Sequence, residues 1–356
     1  MRERTRNVPG NSHEGEIMIT IKDIAQISGY SISTVSRVIN HRSDVSDEAR
    51  EKIESIIREQ KYQPNENARM LKQTVSSDIA VIVRGSKSFF WEYVLEEIQT
   101  RMSNHGESVN VHFIGDTDDE VATAVQVGQN LKPKGIIFLG GRADHFREEF
   151  SRISLPCVLV TVDASKFGFD NLSSFTTDDE EAAGCAAGRL LAKGHRRIGI
   201  LGGDLGGFED GFRTLRIKGA VKELEKRGIP FDFEKDYEPC AFSAESGYAA
   251  AERLLDKSPD LTGVFALNDT IAISAIRAFR DRGMSVPEDI SVIGFNGVNY
   301  VDYLIPRLAT IRQDVAMLAR KSVDDLLLRI SYGSPAVHEK IPYEYIDGES
   351  VAPPRK

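Results

Sequence analysis

Four hydroxyl side chains, Ser31, Ser33, Thr34 and Ser36, fall within six residues and are followed by Arg37 and Asn40. Serine and threonine approach phosphates closely, and arginine bonds either a phosphate or a guanine edge. Short side chains also let a helix sit deep in a major groove. The plainer reading of the same run is the solvated face of an amphipathic helix. Ile32 and Ser33 open that helix, where base edges would lie, and are assigned readout. A second group sits far downstream. Asn268 and Asn296 each follow a short apolar run, the place where open parallel sheets bind ligands beyond the carboxyl ends of their strands. Phe90 and Trp91 follow the first such run, either to stack on the apolar face of a sugar ring or to pack as core. Arg84 and Lys87, after the same run, either add positive charge at the mouth of a cleft or belong to a solvated loop. His195 has no nucleophile or metal partner in view and reads as structural. The run from Gly202 to Gly207 matches neither GxGxxG nor GxxxxGK[ST], and reads as a loop at a strand end.

The elements that must position these residues are legible in the hydrophobic pattern. Thr20 caps a first helix carrying Ile21, Ile24, Ala25 and Ile27, with Asp23 near its positive end. Gly29 supplies a turn, Ser31 opens a second helix over residues 32–39, and Ser46 caps a third with Ala49, Ile53, Ile56 and Ile57 inward; Pro64 stops it. Two short helices, a glycine turn and a closing third helix form the helix-turn-helix pattern. Thr20 is counted with the DNA-contacting residues. From Asp78 onward, apolar runs alternate with amphipathic helices, the βαβ signature. Strands are expected over 79–83, 109–114, 135–139, 158–162, 198–201, 263–267 and 291–294. Helices are expected over 91–103, 179–193, 217–226, 246–255 and 270–282. About 280 residues of this exceed one comfortable domain, so two doubly wound parallel-sheet lobes are expected.

The 356 residues carry a net charge of −9, which at first argues against nucleic acid. The charge is unevenly spread. Residues 18–74 hold nine Lys/Arg against eight Asp/Glu, while everything from Val75 sums to −10. A faintly positive head on an acidic body suits contact with DNA at one end. No apolar run is long enough for a membrane span, and the polar first 17 residues lack the pattern of a secretory signal. They read as a disordered extension ahead of Met18. Cys157, Cys185 and Cys240 stand far apart with no zinc spacing, and read as buried thiols in a reducing cytoplasm.

The stretch from Thr20 to Asn40 resembles, almost position for position, the head of the lactose/galactose-repressor family of bacterial transcription regulators. The resemblance continues through Val45-Ser46, Tyr62 to Asn65 and Ala68 to Leu71. In the body it is carried by Asp178 to Gly184, Gly194 to Ile200, Asn268-Asp269, Val286 to Phe295 and Leu308 to Gln313. It implies a small all-α helix-turn-helix head over residues 18–64 and a hinge over 65–75. The body, 76–356, is then of periplasmic-binding-protein type. Its N-lobe would be built from about 76–193 and 313–338, and its C-lobe from about 194–312 and 339–351. In that family the hinge becomes helical on the operator, with Asn65 and Ala68 in it, and levers a leucine, here Leu71, into the minor groove. An alternative for Leu71 is packing on the body. Arg216 corresponds to the arginine that holds the effector, and Asp178 and Gln313 fall in matching body motifs. One departure stands out: Asn296 occupies a position that is usually aspartate.

The resulting expectation is a cytoplasmic repressor of carbohydrate uptake or catabolism genes. It binds a pseudo-palindromic double-stranded DNA operator as a homodimer, without a membrane. A small sugar or sugar derivative between the lobes controls it, through Phe90, Trp91, Asp178, Arg216, Asn268, Asn296 and Gln313. No cofactor, metal or catalytic residue is expected. The rivals are a periplasmic sugar-binding protein, which the head opposes, and a doubly wound enzyme, which lacks a phosphate loop and a paired acid and base.

Overall fold

The computed structural model describes residues 21–39, 45–60, 78–85, 88–203 and 212–355. The chain divides into two compact units, residues 1–74 and 75–356.

In the first unit, α1 (Ile21–Ser28), α2 (Ile32–Ile39) and α3 (Asp47–Glu59) enclose a small core of Ile24, Val35, Val38 and Ile53. Gly29 turns the chain between α1 and α2 at φ +76°, a conformation that costs a side-chain-bearing residue strain. Ser46 caps α3, accepting from the amide of Ala49 at 3.4 Å. Thr20, Asn40, Pro64 and the hinge with Asn65, Ala68 and Leu71 lie outside the described residues, as do residues 1–17.

The second unit holds two six-stranded sheets. The N-lobe sheet comprises β1 (Ile79–Arg84), β2 (Val109–Ile114), β3 (Gly135–Leu139), β4 (Cys157–Val160), β5 (Leu172–Thr177) and β11 (His338–Ile341). Its strands lie in the order β11-β5-β4-β3-β1-β2, and every pair is parallel. The C-lobe sheet comprises β6 (Ile198–Leu201), β7 (Tyr237–Glu238), β8 (Gly263–Ala266), β9 (Ser291–Asn296), β10 (Ala309–Gln313) and β12 (Tyr343–Ile346). Its order is β12-β10-β9-β8-β6-β7, with only β12 antiparallel.

Because successive strand residues point to opposite faces, each apolar run feeds two cores. In the N-lobe, Val81, Ile137 and Val158 pack on α4 (Phe89–Asn104) and α12 (Val315–Tyr332). Ala80, Ile136 and Leu159 face α5 (Glu120–Leu131) and the rings of Phe146, within α6 (Ala143–Glu149), and Phe150, just after it. In the C-lobe, Ile200, Phe265 and Ile311 pack on α7 (Asp179–Ala192) and α8 (Phe212–Lys226). After the short α9 (Phe233–Asp236), the opposite face is covered by α10 (Ala244–Lys257) and α11 (Asp269–Asp281).

The lobe boundaries differ from the expectation. Helix α7 packs along α8 and on the C-lobe strands, so the first crossover falls between Thr177 and Asp178, not at residue 193. The contact between α7 and α8 is very close. A Cβ on Gly219 would come within 1.9 Å of the carbonyl oxygen of Glu180, so only glycine fits there. The second crossover follows Gln313, where β10 ends and the chain enters α12 at Val315. The third falls at Pro342, because His338–Ile341 completes the N-lobe sheet and Tyr343–Ile346 joins the other. Strands β5, β7, β10, β11 and β12 were not anticipated as strands.

Candidate DNA-binding face and ligand cleft

Helix α2 turns Val35 and Val38 into the head core and leaves Ser31 and Arg37 exposed, with Thr34 and Ser36 half-buried. Ser31 is also the helix cap. Its oxygen accepts from the amide of Thr34 at 3.1 Å and shares a hydrogen bond with the Thr34 hydroxyl at 2.9 Å. Two of the four hydroxyls therefore shape the helix start, and Arg37 stands on its solvent-facing side. Ile32 and Ser33 lie in the first turn of α2, where the sequence puts them.

Between the lobes is a cavity of about 360 Å³, within the range of small-ligand clefts. Six of the seven expected ligand residues line it: Phe90, Trp91, Arg216, Asn268, Asn296 and Gln313. Phe90 is 4% exposed and serves the core as well as the wall; Trp91 is half-buried.

Arg216 lies inside α8 rather than ahead of it, because the helix begins at Phe212. Its Nε donates to Asp179 Oδ1 at 2.7 Å and its Nη1 to the carbonyl of Leu267 at 2.6 Å. The guanidinium sits 3.6 Å from the centroid of the Phe295 ring. Burial pushes the Asp179 carboxyl up and the Arg216 guanidinium down, and each charge opposes the effect on the other. The sequence reading missed Asp179 as the counter-ion.

Asn268 caps α11, its Oδ1 accepting from the amide of Ile271 at 2.8 Å. Asn296 closes β9 with φ +112°, and its Oδ1 accepts from Gln313 Nε2 at 2.9 Å. Gln313 Oε1 in turn accepts from the Thr177 hydroxyl at 2.8 Å. This short relay joins β5, β9 and β10 across the crossover region. Beneath it, buried Asp269 accepts from Thr310 Oγ1 at 2.5 Å and from the Val298 amide at 2.9 Å. Burial raises its carboxyl to about 7.

Asp178 is a correction. It does not line this cavity. It caps α7 through the Glu181 amide at 3.1 Å and pairs with Lys340, facing a smaller cavity shared with Lys166 and Leu215. Burial alone would raise its carboxyl, but the Lys340 and backbone hydrogen bonds outweigh that and hold it below the usual range. A capping aspartate at the start of a helix looks the same in sequence whichever way its carboxylate faces.

Several lining residues were not foreseen. Thr161 follows β4 at φ +74°, unusual for a β-branched residue, and its buried Oγ1 has no partner among the described residues. Arg213 and Asp116 also line the cavity, as do Phe242 and Ser243. Of the two cations after the first strand, Arg84 lines the cavity, whereas Lys87 lies outside the described residues. Arg213 precedes Arg216 by one helical turn, a spacing that could have revealed it.

His195 is buried, with Nδ1 3.0 Å from Thr262 Oγ1 and Nε2 2.8 Å from the Ala352 carbonyl, so both ring nitrogens are engaged within the C-lobe. Burial holds its imidazole below the usual value despite the Ala352 hydrogen bond. Among the described residues, Asp119, Glu120 and His145 bring ligand-type atoms within 4.8 Å of one another. Glu120 is already engaged there by the Arg142 amide at 2.5 Å and by His145 at 3.0 Å.

Residues 20–65 match the model of the bacterial regulatory proteins of the lacI family, and residues 187–351 match that of the periplasmic binding protein-like domain. The transcriptional regulator MalR of Clostridium butyricum is 32% identical over 340 residues, covering 93% of this chain and 99% of its own length. The chain belongs to the lacI family of bacterial regulatory proteins. This lacI-family chain is also 33% identical to the regulator DegA of Bacillus subtilis, over 83% of its length and 87% of DegA. The lac repressor dimer, solved with operator and the anti-inducer ONPF, superposes with a TM-score of 0.76 at 26% identity. That match covers 94% of this chain and 99% of the other. No helix among the described residues is long and apolar enough to cross a membrane. The body is therefore two α/β lobes of periplasmic-binding-protein type, and the protein is a DNA-binding transcriptional regulator.

Proposed function

We propose that this regulator represses carbohydrate uptake or catabolism genes in the cytoplasm. It binds a pseudo-palindromic operator as a homodimer and answers to a small sugar-like effector held between its lobes. The observation that carries this reading is α2, which buries Val35 and Val38 and turns Ser31 and Arg37 outward on a compact head. A single head of this size buries little surface, so two heads held by a dimeric body read two adjacent half-sites. The lac repressor, similar over nearly the whole chain, was solved as a dimer on its operator. Arg216, Asn268, Asn296 and Gln313 hold the effector, and ligand binding shifts operator affinity only through different affinity for two lobe arrangements.

Fluorescence anisotropy with DNA from upstream of the protein's own gene tests this. Expected is sequence-preferring, dimeric binding that falls steeply as salt rises and phosphate-bound counterions are released. Salt-insensitive binding, or equal binding to unrelated duplex, refutes it.

A further inference from the structure

Among the described residues, the side chains that line the cleft are richer in hydrogen-bond donors than in acceptors. Asn268 spends its carbonyl oxygen on the Ile271 amide, and Asn296 spends its own on Gln313. Gln313 accepts from the Thr177 hydroxyl. Each of these amide oxygens has one of its two lone pairs taken, while Asn268 and Asn296 keep their N–H groups to give. The same cavity is lined by three guanidinium groups, Arg84, Arg213 and Arg216, and by one carboxylate among the described residues, Asp116. The acids that balance two of these arginines stand behind them. Glu120 lies 3.5 Å from Arg84 Nε and Asp179 lies 2.7 Å from Arg216 Nε, and neither lines the cavity.

Asp116 lies in the N-lobe loop after β2, half exposed. Its carboxylate reaches across the cleft to within 3.7 Å of Arg213 on the C-lobe helix α8. Arg84 donates to its backbone carbonyl. One of the protein's own anions thus sits where donors from both lobes converge.

Each hydroxyl of a neutral sugar brings a proton that needs an acceptor, and this wall supplies few. A phosphate or carboxylate brings acceptors alone, and arginine receives such groups with paired, charge-assisted bonds. Ser88 and Thr161 remain for a polyol's hydroxyls, beside Ser243, whose oxygen already caps α10 through the Ser246 amide at 3.2 Å, and Trp91 for its apolar face.

We propose that the effector is an anionic sugar derivative, a phosphate- or carboxylate-bearing polyol of about monosaccharide size, whose oxyanion takes Arg213 from Asp116. The inference rests on reading this cleft as the effector site. It also makes the Asp116–Arg213 pair an internal competitor that holds the lobes in one arrangement until the effector arrives.

The test is titration calorimetry on the full chain with matched probes: glucose, gluconate and glucose 6-phosphate, then ribose and ribose 5-phosphate. Expected is binding by a charged member about tenfold or more tighter than by its neutral parent. Whether the phosphate or the carboxylate wins identifies the source of the anion. Arg213→Gln removes that preference, and Asn296→Asp, which faces the ligand with a like charge, weakens charged probes. Asp116→Asn raises affinity for the charged probe by about twofold to fivefold, the worth of a part-exposed ion pair, a gain that misfolding cannot mimic. Neutral parents binding as well as charged ones, no charged member binding, or no gain in Asp116→Asn overturns the proposal. The cleft assignment itself is tested separately. Loss of neutral-sugar binding in Arg216→Met keeps the cleft and rejects the anion; binding undiminished in that variant rejects the cleft.

Discussion

Replacing Arg216 by methionine removes a guanidinium that is 3% exposed and holds Asp179 Oδ1 at 2.7 Å, and leaves that equally buried carboxylate facing an apolar side chain. The Leu267 carbonyl loses its donor, and the Phe295 ring loses its cation. Breaking a buried pair in this way costs about 3–5 kcal/mol, because the surviving charge is stranded without water. Those terms overlap and do not add. A domain of ordinary stability, roughly 5–15 kcal/mol, stays folded at room temperature with that loss. Urea unfolding followed by circular dichroism measures it on the body transition. The double variant Arg216→Met/Asp179→Leu removes both charges and recovers most of the loss. The pH dependence gives an independent check. Without Arg216, burial of Asp179 loses its main opponent and raises the carboxyl further above the unfolded value. A raised acid is no burden below its unfolded pKa, and its penalty grows as pH climbs toward the folded one. The variant's deficit is therefore larger at pH 8 than at pH 5. A single variant within about 1 kcal/mol of wild type at pH 8, or a double variant no better than the single, refutes the picture of a stranded charge.

Other outcomes follow from the same structure. Arg37→Ala weakens operator binding by about 1–3 kcal/mol if the guanidinium reads a base, and lowers the salt slope by roughly one if it meets phosphate; anisotropy across a salt series separates the two. Leu71→Ala weakens binding to operator more than to random duplex, since a wedge acts only on bent DNA; equal losses on both count against the hinge. Asp269, raised to about 7 by burial, contributes stability that is fully present in acid and is lost as pH rises toward 7. The stability lost between acid and neutral pH through this one carboxyl is at most about 4 kcal/mol, and Asp269→Asn flattens the slope in urea titrations at pH 5 and pH 8.

What could be read in the sequence was whatever local pattern controls. Strands β2, β3 and β6 have the expected bounds because Val/Ile-rich runs are set off by polar or glycine neighbours. Strand β5, Leu-Ser-Ser-Phe-Thr-Thr, escaped because its hydroxyls mimic a loop. They are buried by distant partners: Ser173 meets Arg329 at 3.0 Å and Ser174 meets His338 at 2.8 Å. The lobe membership of α7 was invisible for a similar reason. Asp178 reads as an ordinary cap, and the contact with Gly219 that draws the helix to the C-lobe lies some forty residues away. In the cleft, Asn268 and Asn296 were found because strand ends are predictable. Thr161 and Asp116 were not, because a threonine or aspartate in a loop is unremarkable until the opposite lobe faces it.

The three crossovers between the lobes have a consequence for biosynthesis. A chain leaving the ribosome delivers the head first, and its core of Ile24, Val35, Val38 and Ile53 needs nothing from later residues. The N-lobe is different. Strand β5 ends at Thr177 and its outer neighbour β11 starts at His338, so the sheet waits about 160 residues for its last strand. At ~5–20 residues per second of synthesis that is roughly ten to thirty seconds. Through that interval β5 presents an unpaired edge, the kind of surface on which nascent chains associate wrongly. A DNA-binding head can thus be folded on the ribosome well before the lobes that control it are complete.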